Sequence, residues 1–187
     1  MTTTYAALLR GINVGGGKKV PMAELRALME ELGHGGVRTH LQSGQAVFTS
    51  GRGDEESLAA ELSAAVEKRF GFAVGVIVRD HAYLKAVADA CPFPAADLEP
   101  RQLHVTYFSA PPGEERFTEI DRDAFLPEEF RLGDRVLYLY APDGLGRSKL
   151  AEHLARPRFT KGLTATTRNW NTVARLVELT APRPQEG

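Results

Sequence analysis

One cysteine, Cys91, and one tryptophan, Trp170, are all that the 187 residues hold of either type. A lone cysteine excludes an internal disulfide framework and any multi-cysteine metal site, and it fits a reducing compartment. Cys91 stands just before Pro92, at the apolar end of a helix predicted over residues 81–90, where an inert packing thiol is expected. An excess of either charge is also missing: 23 basic and 24 acidic side chains leave a net charge of -1. The surface as a whole is therefore no nucleic-acid footprint, and any such contact has to be local. No apolar run approaches the roughly 20 residues that span a bilayer. The opening Met1-Thr2-Thr3-Thr4-Tyr5 lacks a basic region followed by an apolar stretch, so a cytoplasmic chain with no membrane contact is expected. The five histidines show no metal-ligand spacing and no serine-centred nucleophile elbow is present. No metal or cofactor is expected, and the pattern names no catalytic residue.

What is present is a chain that is 43% hydrophobic and patterned in short periods. Residues 5–12 form a nearly continuous apolar run ending in a glycine cluster, which reads as a buried central strand. From Pro21, a favoured first helical residue, Met22, Leu25, Leu28, Met29 and Leu32 recur at helical spacing until Gly33 stops the pattern. Strands over residues 37–42 and 45–50 flank Ser43-Gly44 as a hairpin. Asp54 opens a long helix striped by Leu58, Leu62, Val66 and Phe70, and residues 74–78 read as another strand. The order β-α-β-β-α-β folds most simply into a ferredoxin-like split βαβ sandwich, because right-handed crossovers put both helices on one face of the sheet. After the helix over 81–90, the proline-rich bend at 92–100 suggests a boundary, with an N-terminal domain over 1–95 and a C-terminal one over 96–187. The second half repeats the theme less cleanly: strands over 103–108, 129–132 and 136–140, helices over 114–121 and 148–154, and a final helix starting near Thr167. The expected class is α+β, an alpha-beta plait of two ferredoxin-like domains with antiparallel sheets. The tail over 181–187 is too polar and proline-rich to be expected to order itself.

Several stretches carry a resemblance. Leu8-Leu9-Arg10-Gly11-Ile12-Asn13-Val14-Gly15-Gly16, Lys19-Val20-Pro21-Met22, Gln42-Ser43-Gly44 with Val47-Phe48, Ser148-Lys149-Leu150 and Thr167-Arg168-Asn169-Trp170-Asn171-Thr172-Val173 resemble the Domain of Unknown Function 1697 family, a group of uncharacterised bacterial proteins. The resemblance implies two alpha-beta plaits and no established activity.

Topology supplies a place to look. In a βαββαβ sheet the end of the first strand, the start of the first helix and the central hairpin turn share one end of the layer. That brings Arg10, Asn13, Gly15, Gly16, Lys18 and Lys19 beside Gln42 and Ser43. Glycines let backbone N–H groups approach an oxyanion, while the helix start and the lysines supply positive potential. The alternative is a plain glycine turn with solvated lysines, in which Arg10 and Asn13 only tie loops together. Between Leu145 and Arg175 seven cations face one acid, a local charge of +6, whereas residues 110–134 carry eight acids and three arginines, a charge of -5. The asymmetry could steer an anion or pair the two segments within one molecule or in a homodimer. Ser148 and Thr167 read as helix caps followed by Lys149 and Arg168, with Asn169 and Asn171 beside them, which again joins N–H groups to cations. Three functions fit: binding of a phosphate-bearing partner, either a small molecule such as a nucleotide or a nucleic-acid backbone; an enzyme acting on a small anionic metabolite in a cleft between the halves; and a protein-interaction module.

Overall fold

The opening apolar run becomes β1, Thr3–Leu9, in the computed structural model, which describes residues 2–40 and 44–183. Its alternate residues Tyr5, Ala7 and Leu9 lie in one core, while Ala6 and Leu8 on the other face are equally buried. Burial on both faces is what the uninterrupted apolar run reflects. α1, Met22–Glu31, follows, then β2, Gly35–His40, and β3, Gln45–Ser50. α2, Glu55–Phe70, starts where the Asp54 carboxylate accepts from the Ser57 N–H at 2.7 Å, and it stops at Gly71, whose φ of 83° only glycine adopts freely. β4, Val76–Asp80, runs straight into α3, His81–Asp89. The strands order as β2-β3-β1-β4, every neighbour antiparallel. Leu25, Leu28 and Met29 of α1 and Leu58, Leu62 and Val66 of α2 pack on the same core as Tyr5 and Phe48. Each such side chain contributes about 1.5–3 kcal/mol by leaving water.

The second half repeats this plan. β5, Leu103–Phe108, β6, Glu129–Gly133, β7, Val136–Tyr140, and β8, Ala165–Asn169, order as β6-β7-β5-β8, again antiparallel throughout. α4, Lys149–Leu154, and α5, Pro157–Thr160, lie between β7 and β8 in sequence, and α6, Trp170–Thr180, follows β8 directly. The molecule is thus an α+β fold of two antiparallel sheets. Two expectations are corrected. The helix expected over 114–121 is replaced by two short 3-10 turns, Glu114–Arg116 and Arg122–Phe125. The last helix starts at Trp170 rather than near Thr167, because residues 165–169 pair with β5 as a strand.

Both halves make the same join between last strand and following helix. Asp80 accepts from the Tyr83 N–H at 2.8 Å, and Asn169 accepts from the Thr172 N–H at 3.1 Å. A short polar side chain at the strand's last residue caps the helix that follows. The chain divides into two compact units, Met1–Lys85 with Leu176–Gly187, and Ala86–Arg175. Among the described residues no helix is long and apolar enough to cross a membrane.

Candidate functional site

The connection from β1 to α1 is held by one side chain. Asn13, at a φ of 55°, donates through Nδ2 to the Val20 carbonyl at 2.9 Å and accepts through Oδ1 from the Val20 N–H at 2.8 Å. Its own N–H donates to the Lys18 carbonyl at 3.1 Å. Asn13 therefore imitates a paired strand residue and closes residues 13–20 into a loop. Within it Gly15 and Gly16 adopt φ values of 62° and 77°, a region glycine enters without steric cost. Their N–H groups point to no acceptor among the described residues, and both glycines are exposed.

The loop shares its end of the sheet with two other connections. Leu9 N–H donates to the Gly44 carbonyl, and Arg10 N–H to the Gly75 carbonyl, each at 2.9 Å. Gly44 lies so close that a Cβ there would sit 2.9 Å from the Ile12 side chain. The hairpin turn thus abuts the end of β1, as its topology predicts. Gln42 and Ser43, the expected partners in that turn, lie outside the described residues. Lys18 reaches the Ala73 carbonyl with Nζ at 3.0 Å, whereas the exposed side chains of Arg10 and Lys19 meet no acceptor among the described residues. Pro21 stands at the cap position before α1 and gives no side-chain cap, and Glu24 is the acid of the helix's first turn.

The basic stretch of the second unit is engaged in part. Ser148 caps α4 by accepting from the Ala151 N–H at 2.9 Å, yet the same helix end is already filled by the Glu128 carboxylate. Glu128 accepts from the Leu150 N–H at 2.8 Å and from the Ser148 hydroxyl at 3.2 Å. Arg158 pairs with Glu119 at 3.1 Å, so acidic and basic segments meet within one unit. The side chains of Lys149, Arg147, Arg156 and Lys161 are exposed and meet no acceptor among the described residues. Thr167 caps nothing: it lies mid-strand, its hydroxyl 2.7 Å from that of Thr106. Arg168 is buried and donates to the Thr166 hydroxyl at 2.5 Å and the Thr167 carbonyl at 3.0 Å. Loss of water pushes its guanidinium down to about 10, with the nearby Tyr107 opposing the shift. Asn169 is the cap of α6, and Asn171 is exposed in its first turn. Sequence reasoning missed Glu128, because a carboxylate 20 residues from the helix end it serves leaves no local signal.

The family model of a "Protein of unknown function (DUF1697)" matches residues 1–138. The chain belongs to the DUF1697 family. That match includes the whole Arg10–Lys19 loop and ends before α4. Among solved structures, a conserved bacterial protein, SP0830, from Streptococcus pneumoniae is similar with a TM-score of 0.72 and 21% identity, over 97% of this chain and 100% of that one. At that identity the likeness speaks for the fold alone. No curated protein matches the DUF1697 chain. Among its described residues no three His, Cys, Asp or Glu side chains gather as a metal site.

Proposed function

We propose that this DUF1697 chain binds a phosphate-bearing anion at the loop between β1 and α1. The observation that carries the reading is the pairing of the undonated Gly15 and Gly16 N–H groups with exposed Arg10 and Lys19. Consecutive backbone N–H groups in a glycine turn make a concavity for an oxyanion, and cations at its rim add attraction. Asn13 supports the reading indirectly, since its hydrogen bonds to Val20 and Lys18 hold the loop closed and so lower the ordering cost of binding. In the second unit Glu128 already fills the α4 helix end and Glu119 pairs with Arg158, so neither that helix end nor that arginine adds to the reading.

Binding at so exposed a place is screened by salt, with a slope of about -0.7 per phosphate contacted on a single strand. The test is fluorescence anisotropy with short labelled RNA and DNA, run beside a thermal-shift series of mononucleotides and inorganic phosphate. Saturable, salt-weakened binding is expected, reduced about 10-fold or more in an Arg10→Glu/Lys19→Glu variant that folds normally, since a decade corresponds to loss of one or two charge contacts. Preference for oligomers over mononucleotides would choose the polymer; the reverse would choose the nucleotide. Unchanged affinity in the charge-reversed variant would overturn the proposal.

A further inference from the structure

Two guanidinium groups of the second unit converge on one backbone oxygen. The Phe130 carbonyl accepts from Arg122 Nη1 at 2.6 Å and from Arg131 Nη1 at 2.9 Å. Arg122 also covers the Phe130 ring, its central carbon 3.8 Å from the ring centroid. Loss of water, followed by repulsion from Arg131, lowers the proton affinity of Arg122, and Glu129 opposes the shift. One carboxylate answers the pair: Glu129, 3.5 Å from Arg131. Arg122 has no ion-pair partner among the described residues. Like charges so placed attract an oxyanion that can bridge them.

Beside the pair opens a cavity of about 150 Å³ with walls of Phe125, Leu126, Phe130 and Leu150. A cavity of that size accommodates a group as large as benzene. Leu126 lies at its edge, 57% exposed. Three acids share the lining: Glu128 is held by Ser148 and Leu150, Glu129 by Arg131, and the Asp123 carboxylate meets no partner among the described residues. These carboxylates repel a doubly charged phosphate, whereas a singly charged carboxylate satisfies the two arginines. The unengaged Asp123 then asks for a cation on the same molecule.

We infer that this cavity binds a free apolar α-amino acid, its carboxylate on Arg122 and Arg131, its ammonium on Asp123, and its side chain between Phe125 and Leu150. The site is independent of the glycine loop, and neither phosphate nor nucleic acid is its ligand.

Calorimetric and NMR titrations of the full chain test it with leucine, leucinamide, 4-methylpentanoic acid, alanyl-leucine and inorganic phosphate. Leucine is expected to saturate the protein and to shift the resonances of Arg122 and Phe130. Leucinamide, lacking the carboxylate, should bind at least ~10-fold more weakly, the decade expected for a lost charge-assisted contact. 4-Methylpentanoic acid, which has no ammonium, and alanyl-leucine, whose ammonium lies one residue away from its carboxylate, should also bind more weakly than leucine. Arg122→Gln should abolish leucine binding. Since Arg122 also packs on Phe130, the exposed Asp123→Asn gives a second variant: it should weaken leucine and leave 4-methylpentanoic acid bound as well as before or better. Equal binding of leucinamide and leucine, tighter binding of phosphate, or no saturation by leucine would each overturn the inference.

Discussion

Asn13 performs with one side chain what a strand neighbour performs with its backbone. Its amide offers the Val20 N–H an acceptor and the Val20 carbonyl a donor, at 2.8 Å and 2.9 Å. It does so from a left-handed conformation that asparagine tolerates better than most residues. Replacement by alanine leaves both Val20 groups to find water and places a less tolerant residue at positive φ. Asn13→Ala is expected to lose about 1–3 kcal/mol of stability, the range for leaving buried polar groups unmatched. Asn13→Asp keeps the acceptor and loses the donor, so it should fall between wild type and alanine. Chemical denaturation of the three proteins checks the order. The same variants separate loop shape from ligand contact: Asn13→Ala should weaken anion binding, while Asn13→Asp, with the acceptor retained but a negative charge added beside the glycines, should weaken it further despite its higher stability. A ranking of affinities that instead follows stability would leave Asn13 as a structural tie only.

The helix ends separate what local sequence reveals from what it hides. Asp54 and Ser148 are caps readable from residue type, and both accept the expected N–H. Thr167 carries the same signal and misleads, because Ala165–Asn169 is a short strand rich in β-branched threonine and the true cap is Asn169. The order β1-α1-β2-β3-α2-β4 was legible, since α1 and α2 are long enough to show a stripe and β1 and β4 are apolar. The stretch over 114–125 was not: its buried Phe117 anchors 3-10 turns whose acids mimic a helix start. Of the candidate site, the loop's residues and its nearness to the hairpin could be read from topology. The filling of the α4 N-terminus by Glu128 could not, because tertiary pairing sets it. Glu128→Gln keeps an acceptor but removes the negative charge facing the helix dipole, and is expected to cost about 0.3–1 kcal/mol at low ionic strength. Glu128→Ala should cost more, since the Leu150 N–H loses its acceptor. Urea midpoints measured at low and high salt check both, with the glutamine variant's deficit shrinking as salt rises.

The division into two units does not follow a single cut in the sequence. The chain leaves the first unit within α3 and returns to it within α6, so residues from Leu176 onward belong with the amino-terminal 85. Within that unit the returning segment is tied by named bonds. Arg38 donates to the Leu179 carbonyl at 2.8 Å, and His81 lies 3.0 Å from the Thr180 hydroxyl, which itself donates to the Leu176 carbonyl at 2.7 Å. Leu176 and Thr180 are fully buried. A chain ending at Arg175 therefore exposes apolar surface in the first unit although every one of that unit's strands and its first two helices remain. Burying a leucine contributes about 1.5–3 kcal/mol, and two lost side-chain hydrogen bonds add about 0.5–1.5 kcal/mol each. The truncated protein should consequently unfold at lower denaturant, with β1 to β4 losing hydrogen-exchange protection before β5 to β8. A chain ending at Arg183 retains all of these contacts and should match the full-length protein. Equal protection in both truncations would show that the first unit holds its sheet without the returning helix; loss confined to β1–β4 in the shorter one makes the carboxy-terminal turns an integral part of the amino-terminal fold.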